Sequence, residues 1–154
     1  MANVLVIDDE SVLLDLIATV LRTDGHSVQA TGDPLKALSF LDAGNPPIDL
    51  VLTDIDMKPI TGFELVKRLT KIGFTGPVLF TSGYASLCGA VTDSLGSRAI
   101  LEKPFTAAQL RTALGRALAK GKAKSPVASA TPTVAMPYHL PLHGTAIRLP
   151  RRSS

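Results

Sequence analysis

Two stretches of the chain are almost continuously apolar, NVLVI at 3–7 and LVLT at 50–53. Short unbroken runs of this kind suit strands buried on both faces of a sheet. HSVQA (26–30), PVLFT (77–81) and RAIL (98–101) are shorter strand candidates. Between these runs the period changes. Leu13, Leu16, Ile17, Val20 and Leu21 fall at i, i+3, i+4, i+7 and i+8, as do Leu110, Ala113, Leu114, Ala117 and Leu118, so each set predicts an amphipathic helix. Weaker periodicity predicts helices over about 34–43, 62–72 and 85–95.

The residues between elements agree with this division. Gly25, Gly44, Gly73 and Gly96 each follow a predicted helix, where a left-handed cap is wanted. Asp33-Pro34 reads as an N-cap with a first-turn proline, and Thr61…Glu64 and Thr106…Gln109 have the spacing of capping boxes. Strands alternating with helices five times predict an α/β fold, (βα)5, with a parallel sheet covered on both faces. Ligands of such sheets bind beyond the carboxyl ends of the strands. After about residue 120 the periodicity stops, and a segment with five prolines and many small residues reads as a disordered tail. The expected division is therefore a domain at 1–119 and a tail at 120–154.

Charge sharpens that division. All 13 acids lie between Asp8 and Glu102, whereas six of the 16 bases follow residue 118: Lys120, Lys122, Lys124, Arg148, Arg151 and Arg152. An acidic domain thus precedes a basic tail. At 154 residues the chain is long enough for one ordinary domain core. No apolar run reaches transmembrane length, and the N-terminus MANVLVIDDE lacks the pattern of a signal peptide. The lone cysteine, Cys88, has no internal disulfide partner, which fits a reducing cytoplasm and a core or boundary position. His26, His139 and His143 fall in no catalytic pattern.

Candidate chemistry gathers at one edge. Asp8 and Asp9 follow the first strand, Asp54 the third, Ser82 the fourth, and Lys103 the fifth, just before Pro104. An acid after a strand is often only the cap of the next helix, and Asp9 or Asp33 taken singly would read so. A serine there is usually a turn residue, and a Lys-Pro pair a solvated loop. All four features at one edge, in this order, are hard to obtain by accident. Converging carboxylates raise one another's pKa unless a cation neutralises them. All-oxygen ligands suit Mg²⁺, with Mn²⁺ able to serve. A metal, a lysine and a hydroxyl around one carboxylate make a phosphoryl-transfer site with the carboxylate as nucleophile.

VLVIDDE, VLTDIDM…TG, PVLFTSGY and LEKPF resemble the receiver domain of bacterial two-component response regulators, over about residues 2–119. The resemblance implies a flavodoxin-like three-layer sandwich with strand order 2-1-3-4-5. It implies Asp54 as phosphoacceptor from a sensor histidine kinase or histidine phosphotransfer protein. Asp9 and Asp54 would ligate the metal, with the backbone carbonyl of Asp56, and Asp8 would act through water. Ser82 matches the hydroxyl that moves onto the phosphate, Lys103 the lysine that pairs with it, and Lys103-Pro104 a bond that is typically cis. Asp56, Gly83 and Tyr84 occupy positions that modulate the site, and Tyr84 and Asp56 tune the access of water. Two departures stand out. Ile100 replaces the aromatic residue usually three before the lysine, at a surface made by the family's fourth helix, fifth strand and fifth helix. Met57-Lys58-Pro59 shifts the usual proline by one, while Gly62 keeps its place.

On this reading the chain is a stand-alone cytoplasmic receiver, not an enzyme in the ordinary sense, that switches a docking surface for an unnamed downstream protein; homodimerisation is compatible with it. Two rivals have sequence support. Asp54-Ile55-Asp56 after an apolar strand also resembles the haloacid-dehalogenase phosphatase motif, but that motif wants Thr or Val where Lys58 stands and leaves Asp8 and Asp9 without a role. The basic tail could contact nucleic acid or an anionic membrane. It offers one aromatic residue, Tyr138, and no helix-turn-helix pattern, so neither a nucleic-acid partner nor membrane insertion is expected.

Overall fold

A computed structural model describes residues 1–42, 47–83 and 99–123. The helix expected at 85–95, with Tyr84 and Cys88, lies outside the described residues, as do Gly44, Gly96 and the chain after 123. The described strands are β1 (Asn3–Ile7), β2 (Ser27–Thr31), β3 (Leu50–Asp54), β4 (Val78–Ser82) and β5 (Ala99–Glu102). The described helices are α1 (Ser11–Thr23), α2 (Pro34–Asp42), α3 (Gly62–Lys71) and α4 (Ala107–Ala123), the last being the helix expected around Leu110–Leu118.

The strands form one parallel sheet in the order β2-β1-β3-β4-β5. Side chains alternate between its faces, so each apolar run feeds two cores. Val4, Val6, Leu50, Leu52 and Leu79 meet Leu14, Ile17 and Leu21 of α1 and Leu110, Leu114 and Ala117 of α4. Leu5, Ile7, Val51, Val78 and Phe80 meet Ala37 of α2 and Leu65, Val66 and Leu69 of α3. This is the covered sheet that the unbroken apolar runs predict.

The punctuation acts as its chemistry demands. Gly25 and Gly73 have φ of 87° and 98°, the left-handed region where glycine carries no Cβ penalty. Thr106 accepts from the Gln109 amide at 3.2 Å while the Gln109 side chain accepts from the Thr106 amide at 2.8 Å, a reciprocal capping box. Thr61 caps α3 through the Glu64 amide at 3.3 Å, and Asp33 caps α2 through the Leu35 amide at 2.8 Å.

Several boundaries differ from the expectation. β2, β4 and β5 each lie one residue later than their apolar runs, and β3 includes Asp54. Asp54 and Ser82 are thus the last residues of their strands, not the first of the following loops. Hydrogen bonding carries the ladder beyond the hydrophobic stretch, since polar side chains at the sheet edge do not stop backbone pairing. Likewise α4 continues to Ala123, so the boundary expected at 119 falls inside it. Its extra turn packs on the start of β4, where a Cβ on Gly121 would lie 2.8 Å from the Pro77 ring.

Candidate functional site

At the carboxyl edge of the sheet, β1, β3 and β5 bring three groups into direct contact. The Lys103 ammonium lies 3.0 Å from Asp8 Oδ2 and 3.3 Å from Asp54 Oδ1. These residues are 95 and 49 positions from Lys103 in the chain, so the sheet order alone makes them neighbours. Asp8 is fully buried and Asp54 nearly so. Asp8 Oδ1 accepts from the Glu10 amide at 2.9 Å, and Asp54 Oδ1 accepts from the Ile55 amide at 2.9 Å. Each carboxylate is thereby held in one orientation by the chain that follows it.

Asp9 completes the cluster from an exposed position, and carboxylate oxygens of Asp8, Asp9 and Asp54 all lie within 4.8 Å of one another. Asp9 does not cap α1; the residue at that helix end is Glu10, whose side chain makes no capping bond. Burial pushes the Asp8 carboxyl above its ordinary pKa, the Glu10 amide and Lys103 oppose this, and the charge of Asp54 adds to it. Burial by itself would lower Lys103, but its hydrogen bond to Asp8 and the charges of Asp8 and Asp54 outweigh that and hold the ammonium above its ordinary value. Three carboxylates therefore face one ammonium. An all-oxygen group of this kind fits a hard divalent cation such as Mg²⁺ or Mn²⁺.

The remaining expected residues are placed as follows. Ser82 is fully buried, and its backbone carbonyl accepts from the Lys103 amide at 2.7 Å, which ties the lysine to the end of β4. The Lys103-Pro104 bond is cis, and so is Lys58-Pro59. Gly83 and Pro104 are exposed, as is the Asp56 side chain. Ile100 is half-buried against the core shared with α2 and α3. Lys58, the mismatch to the phosphatase motif, is exposed.

Two residues at this edge carry more than their sequence signal suggested. Gly62 donates to the Ile55 carbonyl at 2.9 Å, and a Cβ on it would collide with the carbonyl oxygen of Asp54. The start of α3 is thus pressed against the peptide of Asp54. Thr81, beside Asp54 on β4, is fully buried, and its hydroxyl has no hydrogen-bond partner among the described residues. A threonine inside an apolar strand is ordinary, so nothing in the sequence marked it.

Comparison with known proteins bears on this arrangement. The response regulator receiver domain family matches residues 4–115. A regulatory protein, VanRc, of Enterococcus gallinarum is 31% identical over 118 residues, covering 74% of this chain and 50% of that protein. The transcriptional regulatory protein FixJ of Azorhizobium caulinodans is 35% identical over 124 residues, covering 76% of this chain and 57% of that one. The chain therefore spans only about half the length of these relatives. Among solved structures, a response regulator receiver domain protein from Clostridium thermocellum superposes with a TM-score of 0.70 at 30% identity, covering 80% of this chain and 98% of that one.

Proposed function

This chain belongs to the response regulator receiver domain family, and on that footing we propose that it is a phosphorelay switch whose phosphoacceptor is Asp54. The observation that carries this assignment is the placement of the Lys103 ammonium, 3.3 Å from Asp54 Oδ1 and 3.0 Å from Asp8 Oδ2, within one acidic cluster. In the transfer, a carboxylate oxygen of Asp54 forms a bond to phosphorus while the bond from phosphorus to a donor histidine nitrogen breaks. The electron pair of that bond leaves with the imidazole. Lys103 stabilises the negative charge that moves onto the phosphoryl oxygens, and Ser82, at the end of β4, supplies a hydroxyl to one of them.

Asp8, Asp9, Asp54 and the backbone carbonyl of Asp56 would hold Mg²⁺. When bound, the ion neutralises the carboxylates and the incoming phosphoryl oxygens. The donor would be a sensor histidine kinase or a histidine phosphotransfer protein, which places the encounter in the cytoplasm. The added charge biases a two-state equilibrium of the surface that includes β5 and α4, and a downstream protein reads it. Ile100 lacks an aromatic ring to turn, so this surface responds through packing and not through an aromatic flip. The basic segment from about residue 120 is assigned no part in the chemistry.

Asp54→Asn tests the assignment. With acetyl phosphate and Mg²⁺, the parent chain should take up acid-labile phosphate in stoichiometric amount and the variant none. Label retained by the variant would move the phosphoacceptor elsewhere, and continuous turnover of p-nitrophenyl phosphate would favour a phosphatase instead.

A further inference from the structure

The amino edge of the sheet carries an open cavity of about 1020 Å³. It lies where α2, α3 and α4 end and where β1, β3 and β4 begin. Phe40, Leu41, Ile48, Ile72, Phe74 and Pro77 give it apolar walls. The described residues leave five large hydrophobic side chains exposed, and two of them, Met1 and Ile72, stand at this cavity. Single apolar residues on a surface are ordinary, whereas a concave apolar cluster marks a place where something binds.

The chain itself supplies the occupant. α4 ends at Ala123, and Leu118, Gly121 and Lys122 near its end line the same cavity. Residues 124–154 therefore continue from its rim. Within them VAMPYHLPL, 134–142, contains no Asp, Glu, Lys or Arg, although bases stand on both sides at Lys124 and Arg148. Val134, Met136, Tyr138, Leu140 and Leu142 take every second position, with Pro137 and Pro141 between them. The prolines oppose a helix, and in an extended chain alternate side chains face one way. We propose that segment 134–142 of this same chain lies extended in the cavity, with Tyr138 and Leu140 as its central anchors.

The tether permits this. Ten residues, 124–133, join α4 to the segment and span at most roughly 35 Å. That is ample for a cavity that α4 already lines. A short tether also gives an effective concentration on the order of millimolar, so a contact too weak to hold a separate peptide suffices. A second copy would bear the full loss of translational and rotational freedom for the same contact. The segment would be ordered by docking and not by a core of its own. The inference stands apart from the assignment of Asp54.

The chain has no tryptophan, so Tyr138→Trp in the full chain supplies a single indole reporter. Its emission should lie to the blue of free tryptophan, and acrylamide should quench it several-fold less. Both readings should be independent of protein concentration. Leu140→Asp, added to the reporter chain, should weaken docking roughly ten-fold or more, the effect of withdrawing one buried leucine, and quenching should rise toward the free value. Ile72→Asp, on the cavity side, should do the same. Ile72 is half exposed, so that variant should keep the circular dichroism spectrum of the parent. Met136→Trp is a second reporter on the same side of the segment, and protection of either indole supports docking. Quenching as free as that of tryptophan in both reporters overturns the inference. Protection that survives Ile72→Asp but not Leu140→Asp puts the segment elsewhere, and protection that grows with protein concentration makes the occupant a second copy; each overturns it.

Discussion

Replacing Gly62 by alanine should damage the site from outside it. The backbone at Gly62 is not in the left-handed region, so the penalty is purely steric. The added Cβ would collide with the Asp54 carbonyl oxygen and lie 3.1 Å from the Asp54 carbonyl carbon and 3.2 Å from Ile55 Cα. None of these atoms sits on a flexible side chain. The Ile55 amide is held by the Thr81 carbonyl at 2.9 Å and by Asp54 Oδ1 at 2.9 Å, and the Ile55 carbonyl by the Gly62 amide at 2.9 Å. Relief therefore requires α3 to withdraw or the end of β3 to shift. Overpacking of this kind costs roughly 1–3 kcal/mol, and losing the Gly62 hydrogen bond adds about 1 kcal/mol. The expected destabilisation is about 2–4 kcal/mol, which lowers the urea midpoint by roughly 1–2 M for a domain of this size.

Gly115→Ala is the matched control. Gly115 is exposed within α4, and a Cβ there meets nothing within 4 Å. The substitution should stabilise by about 1 kcal/mol through helix propensity alone. Equilibrium urea unfolding followed by circular dichroism measures both variants, and phosphate uptake from acetyl phosphate shows whether Asp54 has been displaced in Gly62→Ala. A Gly62→Ala midpoint within about 0.3 M of the parent, given the usual slopes, would refute the close-approach argument.

Lys103→Met removes the ammonium from two buried carboxylates and leaves Asp8 uncompensated, so in chelator it should cost about 3 kcal/mol by urea unfolding. Part of that loss should return with Mg²⁺. Because burial raises the folded pKa of Asp8, the folded state binds that proton more tightly than the unfolded one, and the variant should regain stability as pH falls toward the ordinary carboxylate range. A variant as stable as the parent would mean that the ion pair is not holding the site. Outside the acidic cluster, Arg111 Nε and Nη2 donate to the Asp24 carboxylate at 2.7 and 3.0 Å and hold its pKa below the ordinary value. That pair contributes above the ordinary pKa of Asp24 and is lost as pH falls through the lowered one. Carbon-detected titration should show the Asp24 midpoint rising in Arg111→Ala, and an unchanged midpoint would contradict the pairing.

How much of this was legible in the chain follows from the range of each interaction. The apolar runs and helical periods report short-range backbone preferences and burial, and they predicted every described element to within a few residues. The caps at Thr61, Thr106 and Asp33 could be named because a cap joins residues two or three apart. The edge that gathers Asp8, Asp9, Asp54, Ser82 and Lys103 could also be foreseen, since in a parallel sheet all strand ends with carboxyl termini lie on one side. Strand ends were less legible, as the ladder at β3 and β4 runs on through Asp54 and Ser82 after hydrophobicity has stopped.

Some features no local pattern encodes. The spacing of Asp8, Asp54 and Lys103 says that they share an edge, not that one ammonium bridges both acids at 3.0 and 3.3 Å. That depends on the strand order and on how far Lys103 must reach across β4. The need for glycine at 62 arises from contact with the Asp54 peptide across the β3–α3 connection, and the orphaned hydroxyl of Thr81 arises from what surrounds it. Residue types and their order determined the fold and the edge at which the acids and the lysine gather. Only the packed tertiary structure decided which groups touch, which are desolvated and which have no partner, because distance and dielectric are properties of the assembled chain.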